Sequence, residues 1–269
     1  MARVCTIAAP LLVNYLNILV ILLCVDEAWM AVTSLGANAI NVYSLPTGAC
    51  VLSVPATPES NCPWRVTFTR ANDMLICDTH ASTVQLLSLK GKRLGSLHVR
   101  GAICADLCGD TLAVGAGAEV HMFKFSTGKH ILAFGGDGSR AGDIGGACAS
   151  VRFTPGGETL LVAEFSNRRL SMFAVDGTFV KLIGEGLLGM GWNDLAFTCT
   201  GNVIVADVSN HRMVLLDPNA DVSDQCVRIW GSVGSEPGQL RSPTAVAVVG
   251  SHLYVLDACA QSPRVQVFA

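Results

Sequence analysis

NVIVADVSNHRMVLL, residues 202–216, sets two apolar runs either side of a segment carrying an aspartate, an asparagine, a histidine and an arginine. Such side chains between two strand-like runs suit a catalytic triad, a metal site or the fittings of a tight turn. The choice turns on whether the pattern occurs once or recurs.

It recurs. The runs VTFT (66–69), VRFT (151–154), LAFT (195–198) and VAVV (246–249) occupy equivalent places, separated by 85, 44 and 51 residues, the first gap being close to two periods. A second run follows each: MLICD (74–78), TLLVAE (159–164), VIVAD (203–207) and LYVLD (253–257). The third runs are VQLLS (84–88), LSMFA (170–174), MVLLD (213–217) and VQVFA (265–269), and a fourth often follows a turn glycine such as Gly91 or Gly177. Residues 102–134 and 19–54 form two weaker units, with Gly115 at the place where the siblings of the first have an acidic residue. Units of four short strands every ~40–50 residues are the period of a β-propeller blade. Apolar runs without strict alternation fit strands covered on both faces by neighbouring blades. The expected fold is all-β: a six-bladed β-propeller of four-stranded antiparallel blades, one domain over residues 1–269.

Composition agrees. A chain of 269 residues with 51% hydrophobic and 14% charged residues and 27 glycines is apolar and heavily punctuated, which excludes disorder and coiled coil. The net charge of −3 gives no global pull toward nucleic acid or anionic membrane. None of the 11 cysteines lies in a C-x-x-C pair, so zinc-ribbon and thioredoxin-type motifs lack support. Cys24 and Cys77 sit inside apolar runs, where a reduced thiol packs as a small hydrophobe; a cytoplasmic, reducing location follows. The uncharged stretch from Val4 to Val25 complicates this. It reads either as a closing strand plus the first strand of a blade, broken by Pro10, Asn14 and Asn17, or as a signal or membrane anchor of a secreted or anchored protein. The last unit ends at Ala269 directly after its third strand, and residues 3–8 are placed to supply the fourth beside residues 265–268.

The quoted stretch matches the NHL repeat nearly residue for residue: an apolar strand ending in Ala-Asp, a short turn ending Asn-His-Arg, and another apolar strand. LLVAEFSNRRLSMF matches with Glu164 replacing the aspartate, and residues 230–249 resemble the glycine-rich connector of that family. The resemblance covers four units well and two by period alone. It implies a six-bladed propeller used to bind protein partners or single-stranded RNA.

A feature recurring in successive blades builds blades. Asp207 and Arg212 are five apart, as are Glu164 and Arg169. The carboxylate is expected to accept backbone N–H groups of its turn, Asn210 and Asn167 to tolerate the left-handed conformation there, and the arginine to pair across the hairpin. Asp78 keeps the acid with Thr83 in the arginine's place, and Asp257 keeps both with Arg264 across a longer turn. His211 and Arg168 fall at the apex and face solvent in this reading.

Residues 184–189 match G-x-G-x-x-G, but no helix pattern follows, so a phosphate cradle is excluded and an interblade loop expected. Asp106 and Asp194 are the only carboxylates in or beside the first strands, which falls short of a metal cage. No catalytic residue, metal or cofactor is assigned. The leading reading is a non-enzymatic protein-interaction scaffold with a protein or peptide partner. RNA remains possible, DNA is not expected, and a membrane enters only through an N-terminal anchor. The alternatives are a single-stranded RNA-binding propeller and a propeller hydrolase or lyase with a metal in its central channel. His80, Phe165, Arg168 and His211, from the turns between second and third strands, and Arg241, from an interblade connector, form the candidate interaction face.

Overall fold

The computed structural model describes residues 4–7, 23–25, 29–34, 39–45, 47, 49–55, 63–69, 71, 73–258 and 263–269. They form six four-stranded antiparallel sheets. β1 is Val4–Ile7. Blade 1 holds β2 (Leu23–Val25), β3 (Trp29–Ser34), β4 (Ala39–Ser44) and β5 (Cys50–Pro55), and blade 2 holds β6 (Pro63–Phe68), β7 (Met74–Asp78), β8 (Thr83–Leu87) and β9 (Arg93–His98). Blade 3 is β10 (Ala102–Cys108), β11 (Thr111–Ala116), β12 (Glu119–Lys124) and β13 (Lys129–Gly135). Blade 4 is β14 (Cys148–Phe153), β15 (Thr159–Glu164), β16 (Leu170–Ala174) and β17 (Phe179–Ile183). Blade 5 is β18 (Asp194–Phe197), β19 (Val203–Asp207), β20 (Arg212–Leu216) and β21 (Cys226–Trp230). Blade 6 contributes β22 (Pro243–Val249), β23 (His252–Asp257) and β24 (Arg264–Phe268). No α-helix occurs among the described residues.

Blade 6 draws its fourth strand from the other end of the chain. β1 pairs antiparallel with β24 in the register Val4↔Phe268 to Ile7↔Val265, so the ring is closed by backbone hydrogen bonds. Residues 8–22, with Pro10, Asn14 and Asn17, lie outside the described residues. No helix among the described residues is long and apolar enough to cross a membrane.

Every interface between successive blades has its own apolar core. Met30, Val32 and Tyr43 of blade 1 pack on Ala245, Tyr254 and Leu256 of blade 6, which completes the circle. The second strands take the most cover: all of β7 and β19 is buried. The fourth strands are the outer walls, and β9 leaves Arg93, Leu94, Ser96 and His98 exposed. Hydrophobic content without alternation is thus explained by sandwiching between blades.

The first strands line the axis, and a bulge recurs at their start. The pairing shifts between Pro63 and Arg65, Ala102 and Cys104, Cys148 and Ser150, and Pro243 and Ala245. Arg65, Cys104, Ser150, Asp194 and Ala245 consequently occupy one register position in blades 2 to 6, opposite Cys77, Gly115, Ala163, Ala206 and Leu256. By the same register the residue standing where the other blades have their acid is Ala116, not Gly115. A one-residue slip in reading blade 3 arises because its turn is shorter.

Candidate functional site

The repeated carboxylates join hairpins to connectors. Asp207, fully buried, accepts Arg212 Nε at 2.8 Å and Asn210 Nδ2 at 2.9 Å, while its other oxygen accepts the backbone N–H of Gly189 at 2.8 Å. Glu164 accepts Arg169 Nε at 3.0 Å, Gly145 N–H at 3.1 Å, and the side chains of Asn167 and Ser171. Asp257 takes Arg264 Nε at 3.2 Å with the N–H groups of Arg241 and Ser242. Of these four acids Asp78 is the one that accepts a backbone N–H of its own turn, that of Ala81 at 2.7 Å. The expected turn donors are therefore replaced in three blades by the connector entering the same blade. The arginines act there too: Arg212 donates to the Leu187 carbonyl, Arg169 to those of Ser139 and Arg140, and Arg264 to Gln239. Gly189 is glycine for this reason, since a Cβ there would stand 2.8 Å from Asp207 Oδ1 and 2.9 Å from Ser209 Cβ.

The left-handed turn residue is not the asparagine. Ser82, Arg168 and His211 carry φ of 52°, 59° and 55°, while Asn167 and Asn210 spend their amides on the carboxylates. His211 is half-buried, and its Nδ1 meets the Arg241 carbonyl. Arg168 is exposed, with Nε donating to the Leu188 carbonyl at 3.0 Å. His80 and Arg241 are exposed and Phe165 half-buried. Turns between second and third strands and connectors between blades follow strands running the same way, so all five residues emerge on one side of the disc.

At the axis on that side the structure brings together residues the sequence reading left apart. Trp64, second residue of β6, and Trp192, two before Asp194, meet edge to face with centroids 5.7 Å apart, and Phe165 lies 4.8 Å from Trp192. Blades 2 and 5 are diametrically opposed, so this aromatic contact spans the channel mouth. One layer deeper Arg65 crosses the same diameter: Nη1 donates to Asp194 Oδ1 at 2.6 Å and Ser150 Oγ at 2.8 Å. Ser150 also donates to Asp194 at 2.9 Å, and the other Asp194 oxygen accepts Val246 N–H at 3.2 Å. In the next layer Arg152 Nη1 donates to Thr67 Oγ1 at 2.8 Å, with Nη2 3.8 Å from Asp194. Asp106 accepts the N–H of Phe153. Arg65, Arg152 and Asp194 are buried. Burial pushes the Asp194 pKa up, but Arg65 and Arg152 outweigh it and hold the carboxyl below its ordinary range. For Arg65, burial favours loss of the proton, and the attraction of Asp194 reverses this and raises its pKa.

Sequence reasoning noted Asp106 and Asp194 and passed over Arg65 and Arg152. The available signal was arginine inside otherwise apolar first strands, PWRVTF and CASVRF, where a lone cation has no reason to be.

No protein-family model matches the chain, and no curated protein matches it. Solved structures do. The Myceliophteria thermophila Cps50 (Swd1) β-propeller domain is 14% identical with a TM-score of 0.67, covering 100% of this chain and 99% of that one. Kuenenia stuttgartiensis hydrazine synthase is 10% identical with a TM-score of 0.65, covering 94% and 96%, and a Bacteroides caccae protein of unknown function is 18% identical with a TM-score of 0.62, covering 82% and 80%. At such identities the likeness establishes the architecture alone: this chain is a six-bladed β-propeller.

Proposed function

We propose that the protein is a non-enzymatic propeller of NHL type that acts as a protein-interaction scaffold, presenting to a protein or peptide the side of the disc that carries His80, Phe165, Arg168, His211 and Arg241. One observation carries this reading. At the channel mouth the rings of Trp64, Trp192 and Phe165 come together and exposed Arg168 follows Phe165 by three residues in the same turn, while beneath them the cations of the axis turn toward Asp194 and toward Ser150 and Thr67. Half-buried aromatics beside a cation are the composition favoured at the centre of protein interfaces. Asp143, Glu185 and Glu236 lie on the connectors of the same side, so its field is mixed in sign, which supports a protein over a polyanion.

The test compares two double charge reversals of the immobilised chain after chemical crosslinking in lysate, with folding checked by circular dichroism. Arg168→Glu with Arg241→Glu is expected to reduce recovery of the principal partner about tenfold or more, the loss of two interface charges. Lys90→Glu with Lys129→Glu, in a turn and at a strand start on the opposite side, leaves it unchanged. Equal recovery from both overturns the assignment of the side. Tight binding of a fluorescent single-stranded RNA at physiological salt, abolished by the Arg168 and Arg241 reversals, overturns protein as the ligand class.

A further inference from the structure

Blade 3 lacks the acid and arginine that blades 4 to 6 carry, and a different arrangement stands beside the vacant register. Cys104 of β10 and Cys148 of β14 are fully buried where blades 3 and 4 meet, with their sulfurs 3.6 Å apart. They come this close because residue 115 is glycine: a Cβ there would stand 2.5 Å from each sulfur and 2.9 Å from Cys148 Cβ. Gly115 has an ordinary φ, so its lack of a side chain serves space and not backbone conformation.

Two buried arginines lie near this pair. Arg65 and Arg152 both face the carboxylate of Asp194, and among the described residues the buried Arg65 Nε and Arg152 Nη2 have no hydrogen-bond partner. Cys104 answers to both arginines. Burial alone pushes its thiol up, but the hydrogen bond with Cys148 and the fields of Arg65 and Arg152 bring it below the ordinary thiol range. Cys148 moves the other way, pushed well up chiefly by its bond to Cys104. Cys77, also near the arginines, is pushed up by burial and by Cys104 and remains a thiol.

We propose that Cys104 and Cys148 are a reversible dithiol–disulfide couple across the interface of blades 3 and 4, with Cys104 the attacking sulfur, Cys148 the resolving one, and a hydroperoxide the oxidant. The Cys104 thiolate attacks the terminal peroxide oxygen, the O–O bond breaks, and hydroxide (alkoxide from an organic hydroperoxide) leaves, giving a sulfenic acid at Cys104. The Cys148 sulfur then attacks the Cys104 sulfur, the S–O bond breaks, and the thiol proton leaves with the oxygen as water. Two electrons pass from the sulfurs to the peroxide, and an external dithiol returns them by exchange.

The experiment uses the full chain, reduced and then freed of reductant. It is titrated with hydrogen peroxide under native conditions, alkylated with iodoacetamide after denaturation, and peptide-mapped without reduction. The expected result is a Cys104–Cys148 linked peptide pair, removed by dithiothreitol and formed at or below the peroxide dose that oxidises exposed Cys199 or Cys226. In Cys148→Ser, a 1,3-dione probe labels Cys104; in Cys104→Ser, Cys148 stays reduced. Recovery of both cysteines alkylated at doses that oxidise Cys199 and Cys226 overturns the proposal, and so does linkage of Cys104 to any other cysteine. The wild-type map decides the matter even if a variant fails to fold.

Discussion

Asp207 serves three donors from its hairpin and from the connector before it, and its neighbours divide the work in a way that mutation separates. Arg212 neutralises the buried carboxylate and also holds the Leu187 carbonyl. Replacing Arg212 with alanine is expected to lower stability by about 1–3 kcal/mol, the cost of leaving a buried polar group without its partner. His211 contributes a hydrogen bond to the Arg241 carbonyl but sits in the left-handed region. In His211→Gly the lost bond, worth about 1 kcal/mol, is offset by relief of about 1–2 kcal/mol of backbone strain, so the variant melts close to wild type. Urea melts of the two variants check this, and equal losses would show that the apex matters as much as the clamp. The carboxylate–arginine spacing was legible because both residues fall within seven of each other in one hairpin. The left-handed residue was misjudged because asparagine is the usual occupant of that conformation, and here its amide has a better use on the acid.

Strands carry a signal at the scale of the element that a local pattern does not reveal. The apolar runs located the blades because burial on both faces leaves a plain compositional mark. Which first-strand residues meet across the axis left no such mark, since Arg65 and Asp194 are 129 positions apart and become neighbours only when six blades close a ring. The consequence is testable through pH. Asp194 has a folded pKa below its unfolded value of about 3.9, so its contribution is complete above that value and is lost as pH falls toward the folded one. Asp194→Asn removes the carboxylate that the two buried guanidiniums face and is expected to cost about 3–5 kcal/mol at pH 7. As the unfolded aspartate of the wild type takes up its proton, the difference between the two proteins should narrow by about 1 kcal/mol between pH 5 and pH 3. Urea melts across that range measure it. A gap that stays constant means that Asp194 is not ionised in the fold.

The whole molecule is a ring whose closure depends on one short pairing. Each of the six interblade cores joins only adjacent blades, so losing the one between blades 6 and 1 would leave a linear array of five cores, free to fray from either end. β1 prevents this by giving blade 6 its outer strand across the register Val4↔Phe268 to Ile7↔Val265, and blade 1 then packs on blade 6 through Met30, Val32 and Tyr43. Removing residues 1–7 leaves the whole of β24 as an unpaired edge with Val265 and Val267 in the open register, a template for a strand from another molecule. The truncated chain is expected to melt earlier, to lose the single cooperative transition of the closed ring, and to associate with itself as concentration rises. A synthetic peptide of residues 1–9 added in trans should restore the monomer and raise the melting temperature in a dose-dependent way, because it supplies the same backbone donors and acceptors without the covalent link. Sedimentation velocity and calorimetry with and without peptide measure both effects. Unchanged melting and a monomer in the truncated chain would mean that the interblade cores alone close the ring.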